Sequence, residues 1–111
     1  MADQKVDKLR EPEARILALQ IAATFPNHYA SMAQIKKEVP NFRELSEADL
    51  KQSRSRPNEC MWQQIIGNVV CHKGTGVSIF NRGWADRIES RKSIRVTEKG
   101  LAHLRSLGLY E

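Results

Sequence analysis

Three patterns in the second half of this chain follow one another in an order that few folds accommodate. A long amphipathic helix is expected over residues 58–72, a basic hairpin over 77–97 and a short closing helix over 98–107. Placed at about 100° per residue, Met61, Trp62, Ile65, Ile66, Val69 and Val70 share roughly half of the helical wheel. Cys60, Gln63, Gln64, Gly67, Asn68 and Cys71 take the other side. Such a helix buries one face and presents a face of amides rather than charges.

Lys73-Gly74-Thr75-Gly76 offers a glycine suited to the left-handed cap that ends a helix. Beyond it, Ile94 and Val96 alternate with Ser93, Arg95 and Thr97, the period of a strand with one buried face. Its partner is open between Val77-Ser78-Ile79-Phe80 and Trp84-Ala85-Asp86-Arg87-Ile88, and both together would give a three-stranded sheet. Glu89-Ser90-Arg91-Lys92 then forms the hairpin tip. Thr97 caps the closing helix, Leu101 and Leu104 bury one of its faces, and Gly108 ends it.

The first half reads as helices that complete the same domain. Residues 1–10 form a polar lead-in, and residues 11–111 a single α+β unit. Pro12 suits a first helical turn, where its missing N–H is no loss. Ile16, Leu17, Ile21 and Phe25 recur at helical spacing until Pro26-Asn27. Ser31-Met32-Ala33-Gln34 is a capping box opening a short helix to about Glu38, stopped before Pro40. Ser46-Glu47-Ala48-Asp49 is a weaker version of that start, and Pro57 falls in or just before the first turn of the long helix.

Charge is placed unevenly. Residues 1–50 carry 7 Lys/Arg against 8 Asp/Glu, and residues 51–111 carry 11 against 5, so the net +5 arises entirely in the second half. That is the footprint of a polyanion binder, although solubility alone also supplies modest positive charge. No apolar run approaches the roughly 20 residues needed to cross a bilayer, so no membrane is expected as a partner. The N-terminus lacks an apolar signal core, and two cysteines make no disulfide framework, which together lead to the expectation of a cytoplasmic protein.

Gln63, Gln64 and Asn68 are the candidates for base contact, because Gln and Asn make paired hydrogen bonds to an adenine edge in the major groove. Arg54 and Arg56 stand near the start of that helix, and Gly67 would let its backbone approach a phosphate or base. Arg87, Arg91, Lys92 and Arg95 surround the hairpin and are the candidates for phosphate contact. The plain alternatives are a solvated helix face and a hairpin charged against edge-to-edge pairing. Trp62 lies on the apolar face and is expected in the core; Trp84, beside Gly83, is expected under the hairpin.

No catalytic site or cofactor is expected. Cys60 and Cys71 would sit about 16 Å apart on a continuous helix, too far for a disulfide or a shared zinc. Cys71 and His72 diverge around the helix, and His28 and His103 have no partner that spacing supplies. Phosphate-cradling glycine motifs, nucleophile elbows and zinc signatures are absent from the sequence.

Trp62-Gln63-Gln64-Ile65-Ile66-Gly67-Asn68-Val69-Val70, followed by Ile94-Arg95-Val96-Thr97-Glu98-Lys99-Gly100, resembles winged helix-turn-helix domains. In those, a strand ending in Thr-Glu-x-Gly leads into the last helix. More narrowly it resembles the N-terminal DNA-reading domains of Mrr-type restriction endonucleases, over roughly residues 13–107. The resemblance implies a reader of double-stranded DNA, not a nuclease, and a small transcriptional regulator above all. Homodimers are common among such readers. A protein-interaction module and a non-catalytic subunit of a nuclease complex are the rival expectations.

Overall fold

A computed structural model describes residues 7–71, 78–88 and 92–110. Among them, five α-helices and a three-stranded antiparallel sheet make an α+β domain. The order is α1 (Glu11–Ala23), β1 (Tyr29–Ser31), α2 (Met32–Phe42), α3 (Glu47–Leu50), α4 (Met61–Cys71), β2 (Ala85–Arg87), β3 (Ser93–Val96) and α5 (Glu98–Ser106).

Helix α1 is the central element, packing on α2, α4, α5 and the sheet. Ala14, Ala18 and Ala22 are fully buried, and their small side chains let neighbouring helices approach closely. Leu17, Leu19 and Ile21 fill the space between, each such burial contributing about 1.5–3 kcal/mol. Pro12 falls in the first turn as expected. The helix stops at Ala23, where the Thr24 hydroxyl donates to the Ile21 carbonyl at 2.7 Å.

Both expected capping boxes form. Gln34 N–H donates to Ser31 Oγ (3.1 Å) and Ser31 N–H to Gln34 Oε1 (2.9 Å). The second links Ser46 and Asp49 at 3.0 and 3.1 Å and opens the single turn of α3. Helix α2, however, runs through Pro40 instead of ending before it. A proline this near the C-terminus removes one backbone bond only, while buried Val39 and the Arg43 N–H on the Val39 carbonyl (3.0 Å) hold the last turn.

Helix α4 begins at Met61, three residues later than expected. Asn58 has φ 69, a left-handed conformation that cannot continue into a helix, and Gln52 and Cys60 form an isolated antiparallel bridge. Trp62, Ile66, Val69 and Val70 are buried against the core, and Met61 and Ile65 only partly. The expected helix end at His72 and the glycine exit lie outside the described residues.

The sheet departs from expectation in one strand. Of the two candidate partners for β3, only residues 85–87 pair with it, and the described part of 77–80 is turn. Ser78 holds that turn, its hydroxyl accepting from Asn81 N–H at 3.0 Å. The third strand comes from the first half: β1 pairs with β3 on the other side, giving the order β1-β3-β2. Three residues after a 3-10 turn carry no readable alternation, so this strand was not visible in the sequence. Thr97 caps α5 by accepting from Gly100 N–H (3.0 Å), and Gly108 at φ 76 follows its end. No helix among the described residues is long and apolar enough to cross a membrane.

Candidate nucleic-acid interface

Residues 43–60, the connector between α2 and α4, set the surroundings of the amide face. Asp49, almost wholly buried, is the anchor. Its carboxylate accepts from Leu9 N–H (2.8 Å) and Ser46 N–H (3.0 Å) and pairs with Arg43 (3.2 Å). Arg43 also bonds Glu13 at 2.6 Å and the Asp7 carbonyl at 2.6 Å. Its guanidinium is held above the usual arginine range, first by the hydrogen bond to Glu13, then by the charges of Glu13 and Asp49, against the opposing effect of burial. Raised in the folded state, that group stabilises the fold at all ordinary pH and stops doing so only in strong alkali.

Beyond α3 the connector folds back on α4. Ser53, buried, accepts from the N–H groups of Ser55 (3.2 Å) and Arg56 (3.1 Å) and donates its hydroxyl proton to Gln64 Oε1. Gln63 is the third residue of α4, and its Oε1 accepts from Cys60 N–H at 2.8 Å. It therefore acts as half of a capping box. Arg56 lies across Gly67, with Nη1 2.9 Å from where a Cβ would stand, and 3.7 Å from Glu59. Glu59 in turn takes Lys36 at 2.7 Å.

These contacts redistribute the expected reading residues. Gln63 and Gln64 are hydrogen-bonded within the domain, Arg56 pairs weakly with Glu59 at 3.7 Å, and the close approach expected at Gly67 is taken by Arg56. Asn68 is half-buried and Arg54 exposed. Among the described side chains of α4 none is fully exposed.

At the hairpin, Arg87 lies opposite Ile94 and Arg95 opposite Asp86. Residues directly opposite in an antiparallel pair share a face, and alternation puts these two arginines on different faces of the sheet. Arg87 shares the side of buried Ile94, its guanidinium 5.6 Å from the Phe80 ring centre. Arg95 is exposed beside Tyr29 and Asp86. Lys92 is exposed as well, and its carbonyl accepts from Met32 N–H at 2.6 Å, tying the hairpin to the start of α2. Arg91 lies outside the described residues. Of the described basic residues expected around the hairpin, Arg87 and Arg95 therefore do not share a face of the sheet.

Sequence reasoning missed Ser53 and Asp49. Ser53 had a readable signal, a serine two and three residues before backbone amides in a Pro-terminated polar run. Asp49 had only its place in a weak capping box. Lys51, three residues before Arg54, is exposed as well. The two described histidines find aromatic partners: His28 Nε2 lies 2.9 Å from the Tyr110 hydroxyl, and His103 stacks on Trp84 at 4.0 Å between ring centres. Among the described residues no three His, Cys, Asp or Glu side chains are grouped as a metal site. Compared with known proteins, the chain matches no family model, no curated protein and no solved structure.

Proposed function

We propose that this chain is a winged helix-turn-helix domain that binds double-stranded DNA, used as a small regulator of transcription. The observation that carries the reading is the topology: helix, short strand, three helices, basic hairpin, helix, with β1 completing the sheet as β1-β3-β2. In this reading α4 is the helix offered to the major groove and the β2-β3 hairpin is the wing. The excess positive charge of residues 51–111 supports it.

The contacts within the domain shift weight from base reading toward phosphate binding. Arg54, Lys92 and Arg95 present exposed cations, and Asn68 is the amide best left to meet a base. Fluorescence anisotropy with a mixed-sequence duplex at two salt concentrations is the test. Binding should weaken steeply with salt. Replacing Lys92 and Arg95 together by alanine should weaken binding on every sequence and reduce the salt slope by about 2. Absence of binding at low salt would sink the proposal.

A second reading, a protein-interaction module, is favoured by specific features. Gln63 and Gln64 are already hydrogen-bonded within the domain, while Leu50 (55% exposed) and Leu107 (47% exposed) present apolar surface. It predicts loss of partner capture, with DNA binding absent from the start, when these leucines are made polar.

A further inference from the structure

A groove of about 500 Å³ runs between the lead-in, the part of the connector from α3 to Ser55, and α4. Sites for small organic ligands fall in this range of volume and combine an apolar lining with a few placed polar groups. Met61 and Ile65, both partly exposed, line it with apolar surface, Leu9 in the lining is fully buried, and Lys8, Lys51 and Arg54 line it with charge. All three cations are exposed, and none is in an ion pair with a described residue. The acidic side chain in the lining is Asp49, whose charge is already matched by Arg43 and by two backbone N–H groups. The field in the groove is therefore positive over an apolar surface.

We propose that this groove binds a small amphipathic organic anion, an aromatic carboxylate or sulfonate, with its ring system on Met61 and Ile65 and its charge at Lys51 and Arg54. A bare phosphate would leave the apolar surface uncovered, and a neutral hydrocarbon would leave the cations unmatched. The anion satisfies both. Gln64 also lines the groove, so the ligand meets α4 where Ser53 holds that helix to the connector. Binding itself does not depend on the DNA reading; any control of DNA binding by the ligand does.

The test uses 1-anilinonaphthalene-8-sulfonate as the probe, with N-phenyl-1-naphthylamine, the same ring system without the sulfonate, as its neutral counterpart. Titration of the full chain should show one saturable sulfonate site per chain. Lys51→Gln with Arg54→Gln should weaken it about tenfold or more, since hydrogen bonds to charged groups are lost, and leave the neutral probe within about twofold. Equal affinity for both probes, several dyes per chain, or unchanged sulfonate binding in the double variant would each overturn the proposal. A second measurement needs no variant: the Met61 and Ile65 methyl resonances should shift on titration of the unaltered chain, and shifts confined elsewhere would also overturn it. A chain that binds no DNA yet passes these tests keeps the site, and one that binds DNA yet fails them loses it.

Discussion

The connector meets α4 and the hairpin meets α5 by different means. Besides one backbone bond, Met61 N–H to the Lys51 carbonyl (2.8 Å), the connector is joined through side chains: Ser53 to Gln64, Arg56 across Gly67, and Asp49 to Arg43 and the lead-in. The hairpin is joined through close main-chain contacts, beside which Trp84 stacks on His103. The Trp84 carbonyl accepts from Thr97 N–H at 2.9 Å, and a Cβ at Gly100 would stand only 2.1 Å from that oxygen. Both joints place a glycine of a helix against its preceding segment. At Gly67 the neighbour is the tip of a flexible side chain, and at Gly100 it is main chain. A joint made by side chains can exchange its partners with a ligand, whereas one made by backbone can only hold or break.

The largest effect is expected where the side-chain joint depends on a single buried charge. Asp49→Ala removes the partner of Arg43 and the acceptor of two backbone N–H groups, leaving buried polar groups unmatched. Breaking such a pair costs about 3–5 kcal/mol, and Glu13 retains part of Arg43, so a loss of about 3 kcal/mol is expected in urea denaturation. If stability is unchanged, the connector is not anchored through Asp49 and the contrast with the hairpin loses its first half.

Next comes Gly100→Ala. The new methyl group collides with the Trp84 carbonyl oxygen and with Val96 Cγ1, 2.8 Å away, and neither is the end of a mobile chain. Overpacking of this kind costs about 1–3 kcal/mol, and the helix-propensity gain of alanine offsets at most about 1 kcal/mol. A net loss of about 2 kcal/mol in thermal or urea unfolding is expected. A neutral or stabilising outcome would show that the hairpin yields as readily as an arginine does.

Legibility from sequence followed the same division. Thr97 and Gly100 were readable as a closing motif, yet only the fold gives the reason for the glycine, the Trp84 carbonyl packed against it, next to the Gly83 carbonyl that accepts from the Thr97 hydroxyl. The helices announced themselves through Ser31, Ser46 and the stripe Trp62, Ile66, Val69 and Val70, because capping and helical burial are local or periodic. Strand β1 was invisible because Tyr29, Ala30 and Ser31 owe their extended state to pairing with Arg95, Ile94 and Ser93, a long-range choice. The candidate site suffered most. Helical projection separates polar from apolar residues correctly, but it cannot tell that a connector folds over the polar side, and so Gln63 and Gln64 looked open when they are a cap and a Ser53 partner. Arg87 and Arg95 looked like one cluster because register, not composition, decides the face of a strand residue.

The smallest expected effect has the opposite sign. At Gly67, a Cβ would meet Arg56 Nη1 at 2.9 Å and nothing of the main chain outside its own helix. Arg56 is partly exposed and its distance to Glu59 is 3.7 Å, a weak attachment worth at most about 1 kcal/mol at such a site. The guanidinium can swing aside. Gly67→Ala also relieves the unfolded-chain freedom of a glycine in a helix interior, worth about 0.5–1 kcal/mol. The two terms nearly cancel with a remainder in favour of alanine, so the urea midpoint should rise slightly at constant slope. A loss of more than about 1 kcal/mol would mean that Arg56 cannot move, that the connector is as fixed as the hairpin, and that the groove beside it is held too tightly for α4 to respond to what binds there.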